Sequence, residues 1–139
     1  MRTKIIMLSI LLIMLILSVS TIASAEASNY FISYCSSIKA EGNGKILISF
    51  EVFGTGKMTS IGVTEIEVQK KVGTSWVYDR TLTSSSYPSF LTSNSSSYFS
   101  QVRITGVTGT QYRAILTFYA ANSSGSESKN QTSNYDTCY

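Results

Sequence analysis

Beyond residue 30 the chain alternates between apolar and polar positions. Ile46, Ile48, Phe50 and Val52 fall on every second position, with Ser49 and Glu51 between them. Ile66 and Val68 repeat the pattern against Glu65 and Glu67, and Tyr112, Ala114, Leu116, Phe118 and Ala120 repeat it over a longer run. A period of two puts one set on each face of a strand. It predicts strands over residues 30–40 (with a break near Cys35), 45–53, 63–71, 76–82, 98–105 and 111–121, and a final edge strand over 128–133. The breaks between them are Gly42-Asn43-Gly44, Gly54-Thr55-Gly56-Lys57, Val72-Gly73-Thr74-Ser75 and Asn122-Ser123-Ser124-Gly125, whose residue types suit turns. The longest predicted loop, residues 83–97, is rich in Ser and Thr and holds the single proline, Pro88. No helical period follows the first 25 residues. About seven short strands at regular spacing predict an all-β fold, an antiparallel β-sandwich, with a small β-barrel as the rival that periodicity does not separate from it.

The stretch from Gly106 to Ser126 shows how the last hairpin should form. Gly106 and Gly109 bracket a turn, Tyr112 opens the next strand, and Asn122 to Gly125 turn back. A tyrosine at the start of a penultimate strand suits a tyrosine corner, its ring inward and its hydroxyl bonded to the backbone of the preceding turn. The pieces Gly109-x-x-Tyr112, Ala120-x-Asn122 and Gly125-x-Glu127 resemble the end of a fibronectin type III or immunoglobulin-like domain. On that resemblance Trp76, just after a turn, is expected as a core anchor. The whole chain is similar to a group of small secreted proteins of Gram-positive bacteria. Their shared features are a leader, the Gly54-Thr55-Gly56 turn with Ile61-Gly62 nearby, the lone Trp76, and the Gly-x-x-Gly-x-x-Tyr-Arg-Ala segment from Gly106 to Ala114. The resemblance implies export and a β fold, and no activity.

The first residues read differently from the rest. Arg2 and Lys4 precede an apolar run from Ile5 to Val19, and Ala23-Ser24-Ala25 supplies small residues where a signal peptidase reads. The pattern is that of a secretory signal peptide over residues 1–25, cleaved after Ala25, followed by a single β-domain over 26–139. A retained anchor is the alternative, but no positive cluster follows the apolar run to hold it in place. Without Arg2 and Lys4, nine basic residues face the chain's eight acidic ones. The exported chain is thus near neutral, without the basic stripe of a nucleic-acid binder. Export also bears on Cys35 and Cys138, the two cysteines. An even count in an oxidising compartment favours a bond between them, clasping the two ends of the domain.

Candidate chemistry is sparse. The chain has no histidine, which removes Ser-His and Cys-His nucleophile systems and histidine-ligated metals. Ser36-x-x-Lys39 would need a helix to bring its two side chains together, and a strand sends them to opposite faces. Glu65 and Glu67 read as a solvated face. No catalytic, cofactor or metal residue is expected. The aromatic content is the remaining hint, because nine tyrosines exceed what one small core needs. Tyr with Ser, Asn and Gly suits recognition, since its ring offers contact area at low entropic cost. Tyr87 and Phe90, beside Pro88 in the long loop, are the first candidates for a contact surface. The expected function is that of a secreted, non-catalytic binding or surface-interaction module with a protein or glycan partner. The alternative is a small carbohydrate-binding protein with an aromatic platform. Neither nucleic acid nor, after cleavage, a membrane is an expected partner.

Overall fold

Three strands stack against four. The computed structural model describes residues 27–139; the leader expected over 1–25 lies outside them. One sheet has the order β1 (Phe31–Gly42), β2 (Lys45–Met58), β6 (Ser95–Thr105). The other runs β4 (Ser75–Thr83), β3 (Ser60–Val72), β7 (Gln111–Asn122), β8 (Gly125–Thr137), with the two-residue β5 (Leu91–Thr92) added to β3. All pairings are antiparallel. The described residues form the antiparallel β-sandwich that the alternation predicts.

The core lies between the two inner faces. Ile46, Ile48, Phe50 and Val52 of β2 and Tyr112, Ala114, Leu116, Phe118 and Ala120 of β7 are all buried, as are Ile66 and Val68 of β3. The Phe50 ring meets those of Phe90 and Phe118 edge-on, at centroid distances of 6.0 and 6.2 Å, an arrangement aromatic quadrupoles favour. The β1–β2 hairpin closes at Gly42-Asn43-Gly44, where all three residues adopt positive φ, a conformation these residue types tolerate best.

Three sequence-based expectations need correction. The first strand is not broken at Cys35; its register shifts lie near its two ends, between Phe31 and Ser33 and between Ala40 and Gly42. Residues 54–57 do not turn back as a hairpin. They continue β2 to Met58, and the chain then crosses to the second sheet at Thr59, whose amide bonds Ala121 O at 2.8 Å. Alternation along a strand is blind to whether its successor pairs with it or lies in the facing sheet. The stretch 83–97 is not one long loop either. It holds a 3-10 turn, Pro88–Phe90, then β5, and β6 already starts at Ser95.

The sandwich is sealed along one side by side chains. β1 and β8 share no backbone ladder, yet the inward polar residues of β8 reach across to the free edge of β1. Asn134 accepts from Ile38 N and donates to Ile38 O, both at 2.9 Å. Asp136 accepts from Ala40 N at 2.8 Å, and Gln131 donates to Tyr34 O at 3.3 Å. A bulge in β8 frees Asn134 for this role, and the Ser133 hydroxyl takes the Ala114 N–H there at 2.9 Å. An edge strand left open is a template for adding another chain, and inward polar groups and bulges are standard ways to block it.

Candidate recognition face

β3 and β7 are the central strands of the four-stranded sheet, and their odd-numbered residues from Glu65 and Arg113 onward point away from the core. Cross-strand pairing aligns Tyr78 of β4 with Gln69 of β3, Gln69 with Arg113 of β7, and Arg113 with Tyr135 of β8. Four strands thus contribute one row across the outer face. Trp76 stands in the next row, opposite Lys71.

The row is internally connected. The Arg113 Nε donates to Gln69 Oε1 at 2.8 Å, and Gln69 Nε2 donates to Glu67 Oε1 at 2.7 Å. The guanidinium lies over the Trp76 ring, 4.6 Å from its centroid, and the Lys71 ammonium is 5.8 Å from the same centroid. Cations over an indole face are held by its quadrupole, at about 0.5–1 kcal/mol for exposed sites. Tyr135 leans on Trp76 with 5.9 Å between centroids. Tyr78 and Tyr135 are 62% and 60% exposed. At the rim, a bulge in β4 puts Asp79 against Arg80 at 2.6 Å and Lys70 at 3.3 Å. Partial burial pushes the Asp79 carboxyl up, but hydrogen bonds from Arg80 and Lys70, with their charges, outweigh it and hold it below the usual carboxylate value.

The residues singled out from the sequence are scattered over the molecule. Trp76 is not a core anchor. It lies on the outer face, because the β3–β4 register pairs it with outward Lys71. Phe90 is not presented for contact but is fully buried, its ring edge-on to Phe50. Tyr87 stacks flat on Phe90 at 5.0 Å and is 36% exposed, so it covers Phe90. The loop is tied down on both sides: Ser89 O accepts from the Tyr98 hydroxyl at 2.7 Å, and Phe90 O closes on Gly62. Gly62 has φ +147°, and a Cβ there would lie 2.1 Å from Phe90 O. Only glycine permits that approach.

Tyr112 is 1% exposed, and its hydroxyl accepts the Val107 N–H at 3.0 Å, the arrangement a tyrosine corner requires. Its ring packs against Gly106, where a Cβ would also meet Ile46 and the Cys138 sulfur.

The expected Cys35–Cys138 bond is not formed; both thiols are free. Cys35 is exposed on the outer face of the three-stranded sheet, opposite Glu51. Cys138 is buried at the end of the sandwich near Ile46. Ile46 and Glu51 are five residues apart on β2, which places the sulfurs on the order of 16 Å apart along the strands. A disulfide needs Cα atoms within about 7 Å. The terminal clasp comes instead from backbone bonds: Gly44 N to Tyr139 O at 2.9 Å, Gly109 N to Cys138 O at 2.8 Å and Cys138 N to Thr110 O at 3.0 Å.

The sequence reading missed the row built on Arg113. A period of two puts Arg113 on the face opposite Tyr112, but the partners Gln69, Trp76 and Tyr135 come from three other strands and meet only through register. Among the described residues no cluster of His, Cys, Asp or Glu is arranged to hold a metal ion, and no helix is long and apolar enough to cross a membrane. No family model matches the chain, and no curated protein does.

Proposed function

We propose that this is a secreted, non-catalytic binding module whose contact surface is the outer face of the four-stranded sheet. The observation that carries the reading is the register row of Tyr78, Gln69, Arg113 and Tyr135, within which Arg113 bonds Gln69 and lies over Trp76. Trp, Tyr and Arg are the residues that most often dominate binding energy at interfaces. Arg113 and Gln69 stand on the central strands β7 and β3 and are held by a hydrogen bond, with Trp76, Tyr78 and Tyr135 on the flanking strands β4 and β8, so little ordering is required of the central pair when a partner arrives. The absence of histidine supports a non-catalytic role. The apolar run and the Ala23-Ser24-Ala25 site support export.

The test uses the labelled, fully processed protein against one array of extracellular bacterial proteins and one of glycans. Wild type should bind a reproducible set of spots. The Tyr78→Ala/Tyr135→Ala double variant should lose at least about tenfold in affinity, as expected when two interface tyrosines are truncated. Tyr87→Ala should bind as wild type does. Binding that the double variant keeps and Tyr87→Ala loses would put the site on the 84–92 segment and end the proposal.

A further inference from the structure

We infer that the recognition face reads a carboxylate side chain on a protein partner, and that Arg113 is the residue that takes it. The inference rests on the assignment of that face as the contact surface. Three arginines are among the described residues. Arg80 and Arg103 each lie on a carboxylate, Asp79 and Glu41 respectively. Arg113 does not: its Nε is held by the neutral amide of Gln69, and its guanidinium carbon lies over the Trp76 ring, 4.6 Å from the centroid.

That difference decides what the group can do. A guanidinium bonded to a carboxylate is neutralised in place. One held by an amide and an indole keeps its full charge and is still oriented. Its terminal nitrogens form a rigid planar fork that matches a carboxylate with two parallel hydrogen bonds. Gln69 is itself steadied by Glu67, so the fork is positioned before any partner arrives, and less entropy is lost on binding. Lys71, also without a carboxylate partner among the described residues, adds a second positive charge at the edge of the same ring. Glu67 brings a negative side chain into the network, and it spends a carboxylate oxygen on Gln69.

A protein partner fits better than a sugar. A sugar ring would need an open aromatic face, and the Arg113 guanidinium already lies over Trp76. Exposed Tyr78 and Tyr135 stand on β4 and β8, with β3 and β7 between them, a span of roughly 14 Å at the usual strand spacing. They flank the fork as aromatic contacts surround a central charged anchor in protein interfaces.

Trp76 is the only tryptophan, so its fluorescence reports on the site directly. The processed protein is titrated at low salt with hexaglutamate, hexaglutamine and a hexagalacturonate. Hexaglutamate should change the Trp76 emission saturably, hexaglutamine should not, and the acidic sugar should bind more weakly than the acidic peptide. Arg113→Lys keeps the charge and loses the fork, and should weaken hexaglutamate binding at least about tenfold. Gln69→Ala leaves Arg113 in place but unsteadied and should weaken it severalfold; thermal melts check that both variants are folded. Equal hexaglutamate affinity in wild type, Arg113→Lys and Gln69→Ala overturns the inference, and so does a response to the acidic sugar alone. If the Tyr78→Ala/Tyr135→Ala variant weakens array binding while Arg113→Lys does not, the recognition face stands and the carboxylate reading falls. If neither substitution weakens binding, both fall.

Discussion

Two aromatic groups close in sequence have opposite fates. Trp76 and Tyr78 sit on a strand and face outward; Phe90 sits in an irregular segment and turns inward, with Tyr87 stacked over it. The usual expectation runs the other way, with strand aromatics filling the core and loop aromatics offered to partners. The reason for the reversal is geometric. β4 is the edge of its sheet and its register sets Trp76 and Tyr78 on the outer face. The segment after β4 instead pairs with β3 beyond the stretch β4 covers and is tied to β6 through Tyr98, and Phe90 fills the space between Phe50 and the glycine at position 62. Chain regularity therefore says little about exposure. What decides it is whether the inner faces of the sheets leave a gap to fill.

The contrast is most directly broken at Phe90. Phe90→Ala should lose about 3–5 kcal/mol of stability, the usual cost of emptying a buried aromatic site, measured by urea unfolding. A loss below about 1 kcal/mol would mean the segment is not docked as described.

Tyr112 and Arg113 sharpen the same contrast between neighbours on one strand. Tyr112→Phe keeps the ring and removes the acceptor of the Val107 N–H. It should cost about 1–3 kcal/mol if that amide stays buried and unpaired. A neutral result would show that water reaches the amide and that the corner is held by packing alone.

The smallest effect is expected on the outer face. Trp76→Ala removes the ring beneath Arg113 and the contact with Tyr135, and should cost no more than about 1 kcal/mol, the range for exposed cation–π pairs. A loss as large as that of Phe90→Ala would make the Trp76–Arg113 stack a structural brace and not a contact surface.

How much of this was legible depends on the range of the interaction. Tyr112 could be read because its partner Val107 lies five residues away, across a turn marked by Gly106 and Gly109. The inner faces of β2, β3 and β7 could be read because a period of two is a local property of the chain. Phe90 was misread because a loop aromatic looks the same whether it faces in or out. The pairing of Cys35 with Cys138 was misread because a cysteine count carries no distance. The row through Arg113 was invisible because each of its partners depends on a register set by a different pair of strands.

Local pattern settles the all-β character, the inward residues of the main strands, the hairpin turns at Asn43 and Ser123–Ser124, and the tyrosine corner. Each follows from steric preferences acting over a few residues. Packing between distant strands settled the strand order, the crossing at Thr59, the separation of the two thiols and the company Arg113 keeps. It also turned Gln131, Asn134 and Asp136, which read as ordinary polar residues of an edge strand, into the seal against β1. Backbone groups at a sheet edge must find partners, and which side chain supplies them is settled only when two distant strands are brought side by side.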